Sequence, residues 1–262
     1  MNSSSARPRL FLAVTAVCLL AVPALAQDSG RNFHWQGKLA ADQIVTIKNI
    51  NGVIEANGAS GDQVDVTAEK SGPRADEVRI KVEQTSAGVT ICAIYPGDDS
   101  DSCESHSHHE SHGNKAKVDF HASIPKNLRF NAEDVNGSVT AQDMGRPVHA
   151  SSVNGGVHVS TASWAEASSV NGSVECSMGS TDWNGRLKID TVNGSVKLEL
   201  PPDASTEVKF SSVNGRLNSD FPITISGLFG SHSAHGTIGS GGRELSVETV
   251  NGSVELTKRA GI

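Results

Sequence analysis

Residues 187–198 read LKIDTVNGSVKL, and residues 245–256 read LSVETVNGSVEL. In both stretches, apolar residues alternate with polar ones on either side of a central Val-Asn-Gly. Such alternation is typical of β-strands with one buried face, because successive side chains of a strand point to opposite sides of the sheet. Asn and Gly tolerate the positive φ angles that a sharp corner needs. Each stretch is therefore predicted to form two short strands joined by a corner.

The same frame recurs along much of the chain. Asn-Gly pairs preceded by Val or Ile lie 18, 17, 22 and 21 residues apart between Asn136 and Asn214, and the last step, to Asn251, is 37 residues. A nearly constant period of this length indicates stacked structural repeats. The predicted corner residues are Asn51, Gly52, Asn136, Gly137, Asn154, Gly155, Asn171, Gly172, Asn193, Gly194, Asn214, Gly215, Asn251 and Gly252.

Two all-β architectures fit this repeat. In a β-solenoid, each Asn-Gly pair is the corner of a coil of about 20 residues, and stacked coils bury their inward faces against each other. In an antiparallel meander folded into a β-sandwich, each pair joins a hairpin, which is its usual role. The constant period favours a single-domain solenoid, since each coil then repeats its neighbour. Stacking would align the corner amides in a ladder of Asn136, Asn154, Asn171, Asn193 and Asn214.

The first 26 residues have the layout of a secretory signal peptide. Arg7 and Arg9 precede an apolar run at Leu10–Leu20, and a small-residue cleavage motif follows at Ala24–Ala26. The apolar run is too short to cross a bilayer comfortably as a helix. We therefore expect residues 1–26 to be removed and the protein to be exported to the periplasm, the cell surface or the medium. No transmembrane span is expected after signal cleavage.

The remaining residues, 27–262, are predicted to form one β-strand repeat domain. Its regular repeats occupy residues 128–256, and a polar, His-rich insert occupies residues 96–117. Strand-like runs precede this insert at Val64–Ala68, Val78–Val82 and Val89–Ile94.

The charge balance argues against a nucleic-acid partner. Without Arg7 and Arg9, the chain has 20 basic and 29 acidic residues, a formal net charge of −9. A protein that binds nucleic acid needs a basic stripe or patch, and the sequence has none. An acidic balance keeps an exported protein soluble.

Proline-containing turns at Ile124–Leu128 and Leu200–Ala204 each lead into a strand and then a Val-Asn-Gly, and the residues Gly241–Val254 likewise lead through a strand to a Val-Asn-Gly. This pattern resembles a bacterial β-strand-repeat family of unknown function whose members are labelled candidate adhesins. It is also similar in kind to the head domains of some surface adhesins. The resemblance covers most of residues 27–262. It implies a β-solenoid fold, export and an adhesive role.

A run of polar residues from Asp98 to His112 contains four closely spaced histidines. Imidazole suits zinc, copper and nickel, and short His-rich tracts are typical of metal binding. The sequence favours a solvated loop that binds metal only adventitiously; a physiological binding loop for Zn²⁺, Cu²⁺ or Ni²⁺ is the alternative. His109 and His112 are three residues apart, whereas the zincin motif needs two histidines four residues apart on a helix. A metalloprotease is therefore not expected. The predicted ligands are His106, His108, His109 and His112.

Three cysteines follow the signal segment. Cys92 and Cys103 flank the polar loop, and export permits a disulfide that closes it. Cys176 falls on an apolar position of the repeat, where it is expected to be a small buried hydrophobe.

No catalytic constellation emerges from the frame. A glycan-cleaving enzyme needs two carboxylates held at a defined separation on one face. Glu133, Asp190 and Glu248 share one frame position, but other copies have serine there: Ser151, Ser168 and Ser211. No nucleophile elbow, phosphate-binding loop or dinucleotide motif is present in the sequence. We therefore expect the protein not to be an enzyme and to need no cofactor beyond a metal at the His-rich loop.

The preferred function is a non-catalytic β-repeat scaffold, an adhesin or a cell-envelope binding protein. Its outward Ser, Thr and Asn side chains would meet an envelope polymer, a glycan or another protein. A periplasmic metal-binding protein that uses the His-rich loop is the first alternative. A carbohydrate-active enzyme built on a β-solenoid is the second.

Overall fold

The computed structural model describes residues 25–97, 102–103, 115–228 and 233–259, and most of these residues are in β-strands. The first eight strands are β1 (Leu25–Ser29), β2 (Asn32–Gly37), β3 (Ile44–Lys48), β4 (Ile54–Ala59), β5 (Val64–Ser71), β6 (Arg79–Thr85), β7 (Gly88–Ile94) and β8 (Lys117–Pro125), with a 3₁₀ turn at Ala75–Glu77. The next seven are β9 (Arg129–Asp134), β10 (Val139–Met144), β11 (Val148–Ser152), β12 (Val157–Thr161), β13 (Ala165–Asn171), β14 (Val174–Met178) and β15 (Arg186–Asn193). The last seven are β16 (Val196–Leu200), β17 (Thr206–Asn214), β18 (Leu217–Ser219), β19 (Thr224–Leu228), β20 (Ser233–Ile238), β21 (Glu244–Asn251) and β22 (Val254–Lys258).

The described strands form two sheets of 11 strands each. Sheet A has the order β1-β2-β5-β8-β4-β10-β12-β14-β16-β22-β18. Sheet B has the order β19-β20-β17-β21-β15-β13-β11-β9-β3-β7-β6. Each coil gives one strand to sheet B, turns at its Asn-Gly corner and gives the next strand to sheet A. The coils are therefore flattened, and the two sheets face each other across the core.

Neighbouring coils pair in parallel and in register. Ile189 on β15 lies opposite Val247 on β21, and Val196 on β16 lies opposite Val254 on β22. A hairpin would pair the two arms of one corner with each other in an antiparallel ladder. Here the two arms belong to different sheets, so the β-solenoid prediction is confirmed and the meander folded into a sandwich is not adopted.

Alternating side chains fill the space between the sheets. In the coil of β15 and β16, Leu187, Ile189, Val196 and Leu198 are all at most 2% exposed. The polar residues between them point outward. One coil cannot bury its inward face alone, so each coil depends on its neighbours for its core.

The last coil in sequence is not the last coil in space. Strands β21 and β22 lie between the coil of β15 and β16 and the coil of β17 and β18. The expected contact between Asn193 and Asn214 is therefore wrong, because Asn251 lies between them. The inserted segment that follows β18 supplies β19 and β20, and β20 pairs antiparallel with the outer side of β17. The chain then returns to fill the remaining gap.

The N-terminal part is less regular and contains most of the antiparallel pairs. Strands β1, β2, β5 and β8 pair antiparallel at one end of sheet A, and β6 pairs antiparallel with β7 at the end of sheet B. The side chain of Lys70 is buried, and its Nζ donates to both carboxylate oxygens of Asp28 at 2.8 and 2.9 Å and to Val78 O at 3.0 Å. This ion pair fixes β1 to the edge of the sheet.

Across the parts of the chain that the structure describes, no helix has the length and apolarity of a membrane span.

Candidate functional site

The corner asparagines form one continuous ladder of side-chain amides. Asn136 Nδ2 donates to Asn51 Oδ1 at 2.9 Å, and every later rung repeats this bond at 2.8 Å. All the bonds point the same way, toward the N-terminal coil. All seven predicted corner asparagines lie in this ladder, in the spatial order Asn51, Asn136, Asn154, Asn171, Asn193, Asn251 and Asn214.

Six of the seven corner glycines are required for space and not for positive φ. Among the seven, only Gly52 has a positive φ, of 125°, so the expectation of positive φ is wrong for the other six. A Cβ added to Gly155 would lie 2.0 Å from Gly137 O, and one added to Gly172 would lie 2.1 Å from Gly155 O. Each corner therefore stacks its backbone directly on the previous one, and a side chain at this position would collide with it.

A row of buried hydroxyls, not anticipated from the sequence, completes five of the seven corners. Ser152 Oγ donates to Gly137 O at 2.7 Å, and Thr191 Oγ1 donates to Gly172 O at 2.7 Å. The signal in the sequence is a Ser or Thr two residues before the corner Asn. The row consists of Ser152, Ser169, Thr191, Ser212 and Thr249, each bonded to the carbonyl of the neighbouring corner glycine.

The corner valines lie on the outside of sheet B. They form an exposed aliphatic strip beside the amide ladder, with exposed fractions from 38% to 52% for Val153, Val170, Val192, Val213 and Val250. The valine of Val-Asn-Gly is thus not part of the core, although the residues on either side of the corner are.

Two polar rows run parallel to the aliphatic strip on the same face. The nearer row contains Glu133, Ser151, Ser168, Asp190, Glu248 and Ser211 in adjacent strands, and the farther row contains Asn131, His149, Glu166 and Lys188. A shallow depression of about 340 Å³ lies among these residues near β11 and β13. The outer face of sheet B therefore presents polar side chains at the same registered positions on successive strands, although the residue type varies from strand to strand.

Histidines on the outer faces pair with carboxylates across strands. On sheet A, His121 Nδ1 lies 3.1 Å from Glu55 Oε2, and His158 Nδ1 lies 3.3 Å from Glu175 Oε2. On sheet B, His149 Nδ1 lies 3.0 Å from Glu166 Oε2. These side chains are about half exposed, so the pairs are solvated and of small energetic value.

The depression beside His158, of about 270 Å³, has no activated nucleophile. The ring of His158 folds over Gly156, where an added Cβ would lie 3.3 Å from Nε2. Ser160 Oγ accepts a hydrogen bond from the Asp143 N–H at 2.9 Å. An activated serine would need a base beside its hydroxyl. The ring of His158 instead lies over Gly156, and its Nδ1 contacts Glu175.

The carboxylates considered for glycan cleavage are spread along the nearer polar row. Asp190 and Glu248 lie on adjacent strands, and Lys188 Nζ lies 3.4 Å from Asp190 and 3.8 Å from Glu248. Glu133 lies three strands from Asp190 and contacts Lys48 at 3.4 Å. The two carboxylates of the adjacent pair thus share contacts with one lysine.

The predicted metal ligands His106, His108, His109 and His112 lie outside the described residues. Within the described ranges, no group of three or more His, Cys, Asp and Glu side chains could hold a metal ion. Cys103 is described: it forms a buried disulfide with Cys92 on β7, at the end of sheet B. Cys176 is free and buried, and burial raises the pKa of its thiol to about 12, so it stays protonated and unreactive.

The chain is similar to one known family and to solved structures. Residues 36–257 match the family described as Toastrack DUF4097. The crystal structure of a candidate cell adhesion protein from Clostridium sporogenes ATCC 15579 shares 12% identity, with a TM-score of 0.45 over 86% of this chain and 99% of that chain. That of a candidate adhesin from Bacteroides fragilis NCTC 9343 also shares 12% identity, with a TM-score of 0.33 over 87% of this chain and 98% of that one. No curated protein has a significantly similar sequence.

Proposed function

We propose that this protein, which belongs to the Toastrack DUF4097 family, is an exported, non-catalytic scaffold. Its proposed binding surface is the outer face of sheet B, and its proposed ligand is an envelope polymer. The observation that carries this proposal is the in-register repetition of three rows on that face. Rungs of a parallel sheet are about 4.8 Å apart, so outward polar side chains and exposed valines recur at a short, constant interval. An extended polymer with repeating units can make the same contact at successive rungs.

The chemistry of the rows favours a hydroxyl-rich polymer, that is, a glycan. Ser151 and Ser168 offer hydroxyls, Asn131 offers an amide, and Glu133 and Asp190 offer carboxylate acceptors. The aliphatic strip beside them provides apolar contact. Non-catalytic binding is supported by the wide spacing of Glu133 from the other carboxylates of the nearer row and by the contacts of Asp190 and Glu248 with Lys188.

Arginine substitutions on the two faces of one coil test the binding surface. Ser168 lies on β13 in sheet B, and Ser177 lies on β14 in sheet A; both point outward and are partly exposed. We expect Ser168→Arg to weaken co-sedimentation with purified envelope polysaccharide about tenfold, equivalent to about 1.4 kcal/mol. The matched variant Ser177→Arg should bind as the wild type does. Equal binding by both variants, or release of reducing sugar by the wild type, would refute the proposal.

Metal binding through the His-rich insert is a second candidate. The disulfide attaches the insert to the end of sheet B, and the four histidines follow Cys103 by 3 to 9 residues. Imidazole groups so close in sequence can share one Zn²⁺, Cu²⁺ or Ni²⁺ ion. Calorimetry with each metal should show stoichiometric binding that is lost when all four histidines become alanine. Binding that persists in this variant, or binding too weak to saturate, would contradict it.

A further inference from the structure

A buried carboxyl group occupies a corner position that elsewhere holds a hydroxyl. Asp134 lies opposite Ser152 in the register of β9 and β11, two residues before the corner Asn136. In five other corners, the residue at this position is Ser or Thr and donates to the glycine carbonyl of the neighbouring corner at 2.7 to 3.3 Å. For Asp134, the equivalent acceptor is Gly52 O.

The geometry of two corners shows that Asp134 Oδ2 takes the place of the hydroxyl. A Cβ added to Gly215 would lie 1.7 Å from Gly252 O and 2.7 Å from Ser212 Oγ, and these two oxygens are joined by a hydrogen bond. A Cβ added to Gly137 would lie 1.4 Å from Gly52 O and 2.7 Å from Asp134 Oδ2. In both corners, the glycine carbonyl oxygen and the side-chain oxygen thus lie at similar distances from the position of the added Cβ.

An ionised carboxylate cannot satisfy this position, because it only accepts hydrogen bonds and Gly52 O is also an acceptor. Asp134 is 4% exposed, and its Oδ2 has no hydrogen-bond partner among the described residues. Two buried acceptors facing each other cost free energy. We propose that Asp134 is a protonated acid in the folded protein and that its Oδ2–H donates to Gly52 O, forming a pH-sensitive latch between the first two corners.

The groups around Asp134 fit this protonation state. Asp119 on β8 is the charged neighbour, and its carboxylate repels a second negative charge. Tyr95 donates its hydroxyl to Asn51 O at 2.9 Å. Burial, chiefly, and Asp119 raise the pKa of Asp134 to about 7, although the N–H groups of Val135 and Asn136 and the Asn49 amide lower it.

The latch makes the stability of the first two coils depend on pH. In the unfolded chain, Asp134 ionises near its ordinary pKa of 3.8, whereas in the folded chain it keeps its proton up to about pH 7. Between these values the folded state binds more protons, so raising the pH destabilises it. The latch is therefore complete in acid and is lost as the pH passes 7. This one group should raise the unfolding equilibrium constant about tenfold per pH unit within that window.

Substitution of adjacent carboxylates in the full chain tests the latch. Asp134→Asn offers Gly52 O an amide donor that does not titrate, whereas Glu133→Gln removes an outward carboxylate on the same strand. The free energy of unfolding, measured with denaturant between pH 4 and pH 8, should depend less on pH in Asp134→Asn than in the wild type. Its dependence on pH in Glu133→Gln should equal that of the wild type. Equal slopes in all three proteins would overturn the proposal.

Infrared spectroscopy of the wild type gives a test that does not depend on a variant folding. A protonated carboxylic acid has a carbonyl stretch distinct from that of a carboxylate. We expect this band to be present at pH 5.5, where ordinary aspartates are ionised, and to disappear above pH 8 without loss of β structure. Its absence at pH 5.5 would show that Asp134 is ionised and would refute the latch.

Discussion

At the scale of single residues, each corner depends on glycine because glycine has no Cβ atom. The carbonyl of one corner glycine lies where the Cβ of the next would be, at 1.4 to 2.1 Å for the six glycines that follow Gly52. The side-chain amides can bond to each other because the backbones stack this closely. Glycine therefore allows neighbouring corners to stack closely, and asparagine forms the side-chain hydrogen bonds that this close stacking makes possible.

Alanine substitution of two adjacent glycines should separate these effects. A Cβ on Gly155 would lie 2.0 Å from Gly137 O, whereas a Cβ on Gly156 has no neighbour nearer than 3.3 Å. We expect Gly155→Ala to lower the free energy of unfolding by about 3 kcal/mol, because the backbone of two coils must separate. Gly156→Ala should stay within about 0.5 kcal/mol of the wild type. Chemical denaturation measures both, and equal losses would argue against the steric explanation.

The sequence predicts where these corners lie but not why they have their residues. The Asn-Gly pairs identify the bends, and a positive φ is their usual explanation. The true reason is the carbonyl of a residue 17 to 85 positions away in the sequence, and it appears only when the coils are stacked. The same holds for Asp134, since its burial and its acceptor Gly52 O depend on the coil before it.

At the scale of strands, local pattern predicts the elements better than it predicts their partners. The run predicted at Val89–Ile94 falls in β7, and the run at Val64–Ala68 falls in β5. Their antiparallel pairing with β6 and β8 is not visible in the sequence, because nearly any strand with one apolar face can pair with another. In the regular coils the repeat supplies this missing information, since identical frames stack in register.

At the scale of the whole molecule, the final coil holds the C-terminal end of the stack together. The coil of β21 and β22 has a neighbour on each side, and its Leu245, Val247, Val254 and Leu256 are fully buried. The repeat could not predict this position, because every copy of the frame fits beside every other. Spatial order is decided instead by the insert after β18, which is long enough for the chain to return.

Truncation of one leucine should reveal this central position. Leu256→Ala leaves a cavity between two coils and should cost about 3 kcal/mol. Leu217→Ala, in the outermost coil, should cost about 1 kcal/mol, since Leu217 is only partly buried. Hydrogen exchange with mass spectrometry should show that Leu256→Ala exposes β15 to β18 as well as β21 and β22, while β9 to β12 stay protected. Loss of protection confined to β21 and β22 would contradict this coupling.

The position of the last coil also bears on how the protein is made. Synthesis delivers β17 and β18 before the segment that must separate them from β15 and β16. The stack therefore stays open at this point until the C-terminal residues have left the ribosome. The earlier coils can already stack on each other, so β21 and β22 close the last gap in the stack.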